Sequence, residues 1–207
     1  MGANDEIRAK RIVLEDDNGR IRVELAVSKE GPGLTLIDDD GNQRATLALG
    51  KDGPLLNLGD ERGKGIASLS VTGGGLGLSL YDREGKLRAD FAVTGDGPRL
   101  DLYDKAGKGL VSLSVAEGGL GLSLYDPNGK PRTGLALVPD GPFLSFYDEH
   151  EVERVMLTLA ADGPRLDFTD AEGVQRSTLN VTGAEPLFGL YKPDGTALGN
   201  APKKDAT

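Results

Sequence analysis

Residues 75–82 read GLGLSLYD, and residues 119–126 read GLGLSLYD again, 44 positions later. The flanks repeat as well, GKGIASLSV at 63–71 being matched by GKGLVSLSV at 107–115, so that 53–96 and 97–140 form a tandem copy of one block. Sliding the sequence along itself halves the interval. The true period is 22, with units beginning at Gly31, Gly53, Gly75, Gly97, Gly119, Gly141 and Gly163, a degenerate first unit at Ala9 and a truncated last one at Glu185. No unit gains or loses a residue. A fixed period of this length marks a repeat array of structurally equivalent units.

The unit reads G-P-x-L-x-L-Y-D-x-x-G-K-x-R-A-x-L-x-V-x-x-D. One apolar column runs Leu14, Leu36, Leu58, Leu80, Leu102, Leu124, Phe146, Phe168, Leu190, and a later one Leu25, Leu47, Leu69, Phe91, Leu113, Leu135, Leu157, Leu179. Both sit in stretches that alternate with period two, the pattern of a half-buried strand, and no window offers the i, i+3, i+4, i+7 spacing of a helix. These columns are the expected core. Each D-x-x-G, from Asp16–Gly19 to Asp170–Gly173, is a turn: Asp accepts the amides that follow it and Gly supplies a positive φ. The D-G-P junction is the second turn, with Pro placed where no ladder donor is wanted. Each unit is therefore strand, turn, strand, turn.

An all-β array of hairpin-like units follows, in one of three arrangements. The constant unit length favours a two-sheet β-solenoid, because its coils must overlay; an extended antiparallel meander and a β-propeller with blades of two units are the alternatives. A stacked Asp column repels itself in a solenoid, with Lys64, Lys86, Lys108 and Lys130 near enough to offset it. A meander doubles the Asp spacing but leaves one apolar face bare unless a second chain covers it. Residues 1–8 are read as a lead-in, 9–198 as a single repeat domain and 199–207 as a disordered tail.

Composition limits function. The 207 residues include 31 Gly, only 5% aromatics, and neither Cys nor Trp, so no disulfide framework organises the chain. A net charge of -9 repels nucleic acid and anionic membrane surfaces. No apolar run approaches the roughly 20 residues of a membrane span, so no membrane insertion of this segment is expected. The first 20 residues contain no signal-peptide core.

Two columns are candidate binding residues. Tyr81, Tyr103, Tyr125 and Tyr147, with Tyr191, form a regular row suited to stacking on sugar rings, or to covering the sheet end. Arg88, Arg132, Arg154 and Arg176, with Arg22 and Arg44, form a row suited to anionic glycans, or to a solvated face interleaved with Asp101 and Asp167. DDDG (38–41) and EDDNG (15–19) lack calcium-loop spacing and read as plain turns, so no metal or cofactor is expected. The one interior turn without its glycine is YDEHEVERV (147–155), where Glu151 replaces Gly beside the only histidine, His150. A single His among exposed carboxylates gives catalysis little to stand on.

GPRLDLYDKAGK (97–108) and GLGLSLYDREGKLRADFAV (75–93) resemble the GPxLxLYDxxGKxRAxLxV tandem repeats of uncharacterised bacterial proteins that are membrane-anchored or exported. The likeness spans residues 9–198, implies an exported repeat domain, and brings no catalytic residues. YDREGKL (81–87) is similar to the YD repeat of Rhs-type toxin shells, though the rest of that motif is missing. The expected function is a non-enzymatic structural or spacer module at or beyond the cell surface. The alternative is a module binding a polysaccharide or protein through a repeated face, a homo-oligomer among its possible forms; an enzyme is least favoured.

Overall fold

The computed structural model describes residues 6–182 and 185–201. The chain divides between Gly95 and Asp96 into two compact units. The first holds β1 (Arg11–Glu15), β2 (Ile21–Ser28), β3 (Gly31–Ile37), β4 (Gln43–Gly50), β5 (Gly53–Gly59), β6 (Gly65–Thr72), β7 (Gly75–Tyr81) and β8 (Leu87–Thr94). The second holds β9 (Gly97–Tyr103), β10 (Gly109–Ala116), β11 (Gly119–Tyr125), β12 (Pro131–Val138), β13 (Gly141–Tyr147), β14 (Glu153–Ala160), β15 (Gly163–Thr169), β16 (Gln175–Thr182), β17 (Glu185–Tyr191) and β18 (Ala197–Ala201). Of the expected disordered tail, residues 199–201 belong to β18, and 202–207 lie outside the described residues, as do 1–5 of the lead-in.

The all-β, repeat-built class read from the sequence is what the structure has. Within each unit every strand pairs antiparallel with its neighbours in sequence, β1 through β8 and β9 through β18. This is the meander of the three alternatives, and the stacked pairing of a two-sheet solenoid or the separate blades of a propeller do not occur within either unit. The turns decide it. Gly50 pairs with Gly53 and Thr72 with Gly75, so the second connection is a two-residue hairpin. Such a hairpin spans the roughly 4.8 Å between paired strands and cannot cross the roughly 10 Å between layers.

At the other edge each D-x-x-G turn is followed by a β-bulge. Leu36 pairs with Ala45 but Ile37 with Gln43, which leaves Arg44 as the extra residue, and the same shift recurs at Arg22, Arg88, Arg132, Arg154 and Arg176. Both hairpins thus have a fixed residue count. That is why no unit changes length.

The apolar columns become cross-strand rows on one face. Leu25, Leu34, Leu47, Leu56, Leu69 and Leu78 stand opposite one another in turn across the first unit, ending at Phe91, and a matching row runs from Leu100 to Phe188 in the second. The expectation that they form a buried core is corrected here. No hydrophobic side chain among the described residues is buried, and Leu47, Leu135 and Leu157 remain 54%, 46% and 46% exposed. A single layer gives each leucine lateral neighbours but no roof.

The other face carries small and polar residues, from Glu24 through Thr35, Thr46, Asn57, Ser68 and Ser79 to Asp90 in the first unit. Its side chains include the ones most withdrawn from water, Ser145 at 0% and Thr178 at 2% exposure.

Gly75 and Gly19 show how differently two glycines are constrained. Gly75 has φ 123° and a Cβ there would lie 1.8 Å from the Val93 carbonyl oxygen, whereas Gly19 has φ 75° with nothing within 4 Å. Gly75→Ala is expected to lower stability by at least about 2 kcal/mol, and Gly19→Ala by about 1 kcal/mol. Urea titration followed by far-UV circular dichroism checks the order; equal losses would mean that the close backbone approach is unimportant.

Candidate functional site

The most regular chemistry lies along the D-x-x-G edge. Asp126 shows the pattern: its Oδ1 accepts the N–H groups of Asn128 (2.7 Å) and Lys130 (3.1 Å), while its own carbonyl accepts the Gly129 N–H (2.8 Å). Its Oδ2 accepts from Arg132, six residues on, and Arg132 also donates to the Asp148 carbonyl at the start of the next such turn. Arg154 repeats this with Asp148 Oδ2 (3.0 Å) and the Thr169 carbonyl (2.8 Å), and Arg176 with Asp170 Oδ2 (3.3 Å) and the Tyr191 carbonyl (3.0 Å). Arg88 pairs with Asp82 in the same way. The bulge is what lets one arginine reach both groups.

At four turns the residue after the turn glycine supplies a second brace. Arg20 donates to the Asp39 carbonyl (2.8 Å), Asn42 to Glu61 (3.0 Å), Lys64 to Arg83 (3.3 Å) and Lys130 to Glu149 (2.6 Å). Charge compensation of the Asp column comes chiefly from the bulge arginines, while these lysine side chains reach backbone carbonyls. The expected interleaving with Asp101 and Asp167 falls to other arginines, Arg99 at 2.7 Å and Arg165 at 2.6 Å.

These contacts set the acidity of the aspartates. In Asp16, Asp82, Asp104, Asp126 and Asp170 the N–H of the fourth residue on is the largest influence and holds the carboxyl below its ordinary range, against a smaller upward push from desolvation. In Asp60 the Arg62 N–H leads. In Asp38 and Asp148 desolvation is the largest single influence and pushes upward, but the hydrogen bonds together outweigh it.

The tyrosines end β7, β9, β11, β13 and β17 on the polar face, half-buried. Tyr147 lies against Gly134, and its hydroxyl donates to Glu153 Oε2 at 3.5 Å, an oxygen that also accepts from Ser145 Oγ at 2.7 Å. Successive tyrosines of the second unit are two strands apart, with Thr169 in the place between Tyr147 and Tyr191. In the first unit the column reads Ile37, Gly59, Tyr81, and a notch lies beside Gly59 and Gly65, where a Cβ on Gly65 would meet nothing within 4 Å. Gln43, Thr46, Asn57, Lys64, Ser68 and Tyr81 surround it.

Sequence reasoning missed two polar clusters. Ser145–Glu153–Tyr147 and Arg165–Asp167–Gln175 occupy equivalent places, Gln175 Nε2 donating to Asp167 Oδ1 at 2.7 Å. Their signal is the position that opens the even-numbered strand. Leu87, Gly109 and Pro131 hold it earlier, and Glu153 and Gln175 hold it here.

At the irregular turn, His150 and Glu149 are 74% and 80% exposed with 3.6 Å between Nε2 and Oε1. Among the described residues no three His, Asp or Glu side chains converge as a metal-holding group, and no helix is long and apolar enough to cross a membrane. The fold and this braced edge define an all-β tandem-repeat protein. No family model and no curated protein matches the chain.

Two predictions follow from the edge. Glu151 has φ 66°, the only positive φ outside glycine among the described residues, so Glu151→Gly should stabilise by about 0.5–1 kcal/mol, read as a raised urea midpoint. Because the aspartates titrate lower folded than unfolded, protonation favours the unfolded chain. Stability should be level above about pH 5 and fall from about pH 4 downward; a midpoint flat to about pH 2 would remove the Asp column from the account.

Proposed function

We propose that the chain is a non-enzymatic structural module of an exported or surface-displayed protein, whose equivalent units set a distance and present a regular surface. One observation carries the reading: the recurring bulge arginines Arg22, Arg44, Arg132, Arg154 and Arg176 each donate to a backbone carbonyl at or beside the next turn. Arg132, Arg154 and Arg176 serve continuity of the array, and a unit built this way can be duplicated without redesign. The resemblance of its units to repeats in anchored or exported bacterial proteins supports the location.

A second reading has its own observation. The notch at Gly59 sets the Tyr81 ring beside amide, hydroxyl and ammonium groups, a combination that suits a sugar unit of a polysaccharide.

The readings separate in the native host. If the module is a spacer, His150→Ala and Tyr81→Ala proteins should complement a deletion strain as well as the parent, while removal of 97–140 should impair complementation. Full complementation by the shortened chain sinks the spacer. On a glycan array the second reading expects binding that Tyr81→Ala reduces at least about tenfold; no binding by the parent removes it.

A further inference from the structure

The charges of this chain are segregated. In the three apolar rows every paired position among the described residues is uncharged, and the only hydroxyls there are Thr133 and Ser177. The turns and the opposite face hold the acidic and basic residues. A solvated face would not be kept free of charge over ten strands, since single surface substitutions of that kind are ordinarily tolerated.

The second unit alone presents enough of this face to matter. Ten strands about 4.8 Å apart and about 20 Å long offer roughly 1,000 Å² per copy, against roughly 800 Å² per partner in a stable interface and a few hundred Å² left bare on a typical monomer. At its centre an apolar dent is lined by Leu135, Pro142, Leu144, Leu157, Leu159 and Pro164. In its outer row Leu137 stands opposite Pro142 and Leu159 opposite Pro164, so over β12–β15 long side chains alternate with short ones, while Val115, Leu120 and Leu137 are successive apolar neighbours over β10–β12.

We propose that this face is covered by the same face of a second copy of the chain, as a two-fold pair of sheets packed through the leucine rows. The proposal deepens the structural reading above and rests on it. An isologous contact requires a patch that accepts itself, and the stretch from Leu137 to Pro164 can do so, projecting Leu137 and Leu159 of one copy meeting low Pro142 and Pro164 of the other. Sheets packed about 10 Å apart exclude water from the rows. The charged faces then point away from each other, so the net charge of -9 on each copy is not forced into the interface.

A lipid surface fits less well. The strands of the second unit that bear these rows have 7 or 8 residues, where a membrane-spanning strand needs about 9–11, and the tyrosines lie on the polar face instead of girdling the apolar one.

Light scattering on the full chain tests this. At about 50 µM the expected mass is twice 21.7 kDa, falling to 21.7 kDa in Leu135→Lys and Leu157→Lys proteins and unchanged in Ser123→Lys, a polar-face control. A parent mass of 21.7 kDa overturns the proposal, and so does a two-chain mass that survives both face variants. So does a monomer that floats with phosphatidylcholine vesicles, which would assign the face to lipid. If the lysine variants fail to fold, Leu135→Cys serves instead, because the chain has no cysteine of its own. Its thiol should react with a maleimide at least about tenfold more slowly at high protein concentration than on dilution; equal rates overturn the pairing. Loss of the pairing leaves the spacer reading standing, since that is decided by complementation with the shortened chain.

Discussion

The turn aspartate is the group on which the rest of the structure depends. Asp126, Asp148 and Asp170 each take two backbone N–H groups on one oxygen and an arginine on the other, so one carboxylate fixes the turn and its following bulge together. The arginine then reaches the next turn's strand. Register follows from this, and register decides which face every side chain occupies, because a slip of one residue would carry the leucines to the polar side. A carboxylate at the end of a hairpin is thereby responsible for the purity of a face two to six residues away.

The pattern also explains how order is kept where no hydrophobic side chain among the described residues is buried. The contacts among the described residues are local: within each unit a strand pairs with its sequence neighbours, and turns brace the next turn along the edge. Cross-strand leucine pairs contribute tenths of a kcal/mol to about 1 kcal/mol each, and the array sums many of them. Order of this kind is short in range and uniform, so folding can begin in any unit and spread.

How much of this was legible in the sequence depended on the scale of the feature. The hairpins were readable because turn chemistry is written in adjacent residues: Asp16 to Gly19 names its own hydrogen bonds. The number of layers was not, because Leu34 and Leu47 alternate with the same period whether a second sheet roofs them or water does. What distinguishes meander from solenoid is the span of the two-residue turn at Lys51–Asp52, a length and not a pattern. The Arg column was legible as a column and opaque as a brace. Arg154 reaches Asp148 and Thr169 only because the bulge makes it the unpaired residue, and a constant spacing in sequence does not reveal a pairing shift.

The two faces set opposite demands, and the 22-residue period satisfies both. A bare apolar sheet is an aggregation hazard unless its edges and register are controlled. Here β1 is only five residues long, the turns are locked at both ends, and the paired positions of the apolar rows are uncharged among the described residues. Such control limits what the face can do. Growth by strand addition is discouraged at β1 while contact through the face is left open, which is the condition that the proposed pairing of sheets needs. If the chain sets a distance, as proposed, a doubled sheet would be the stiffer beam, and stiffness is the property that a spacer needs and a single layer supplies least.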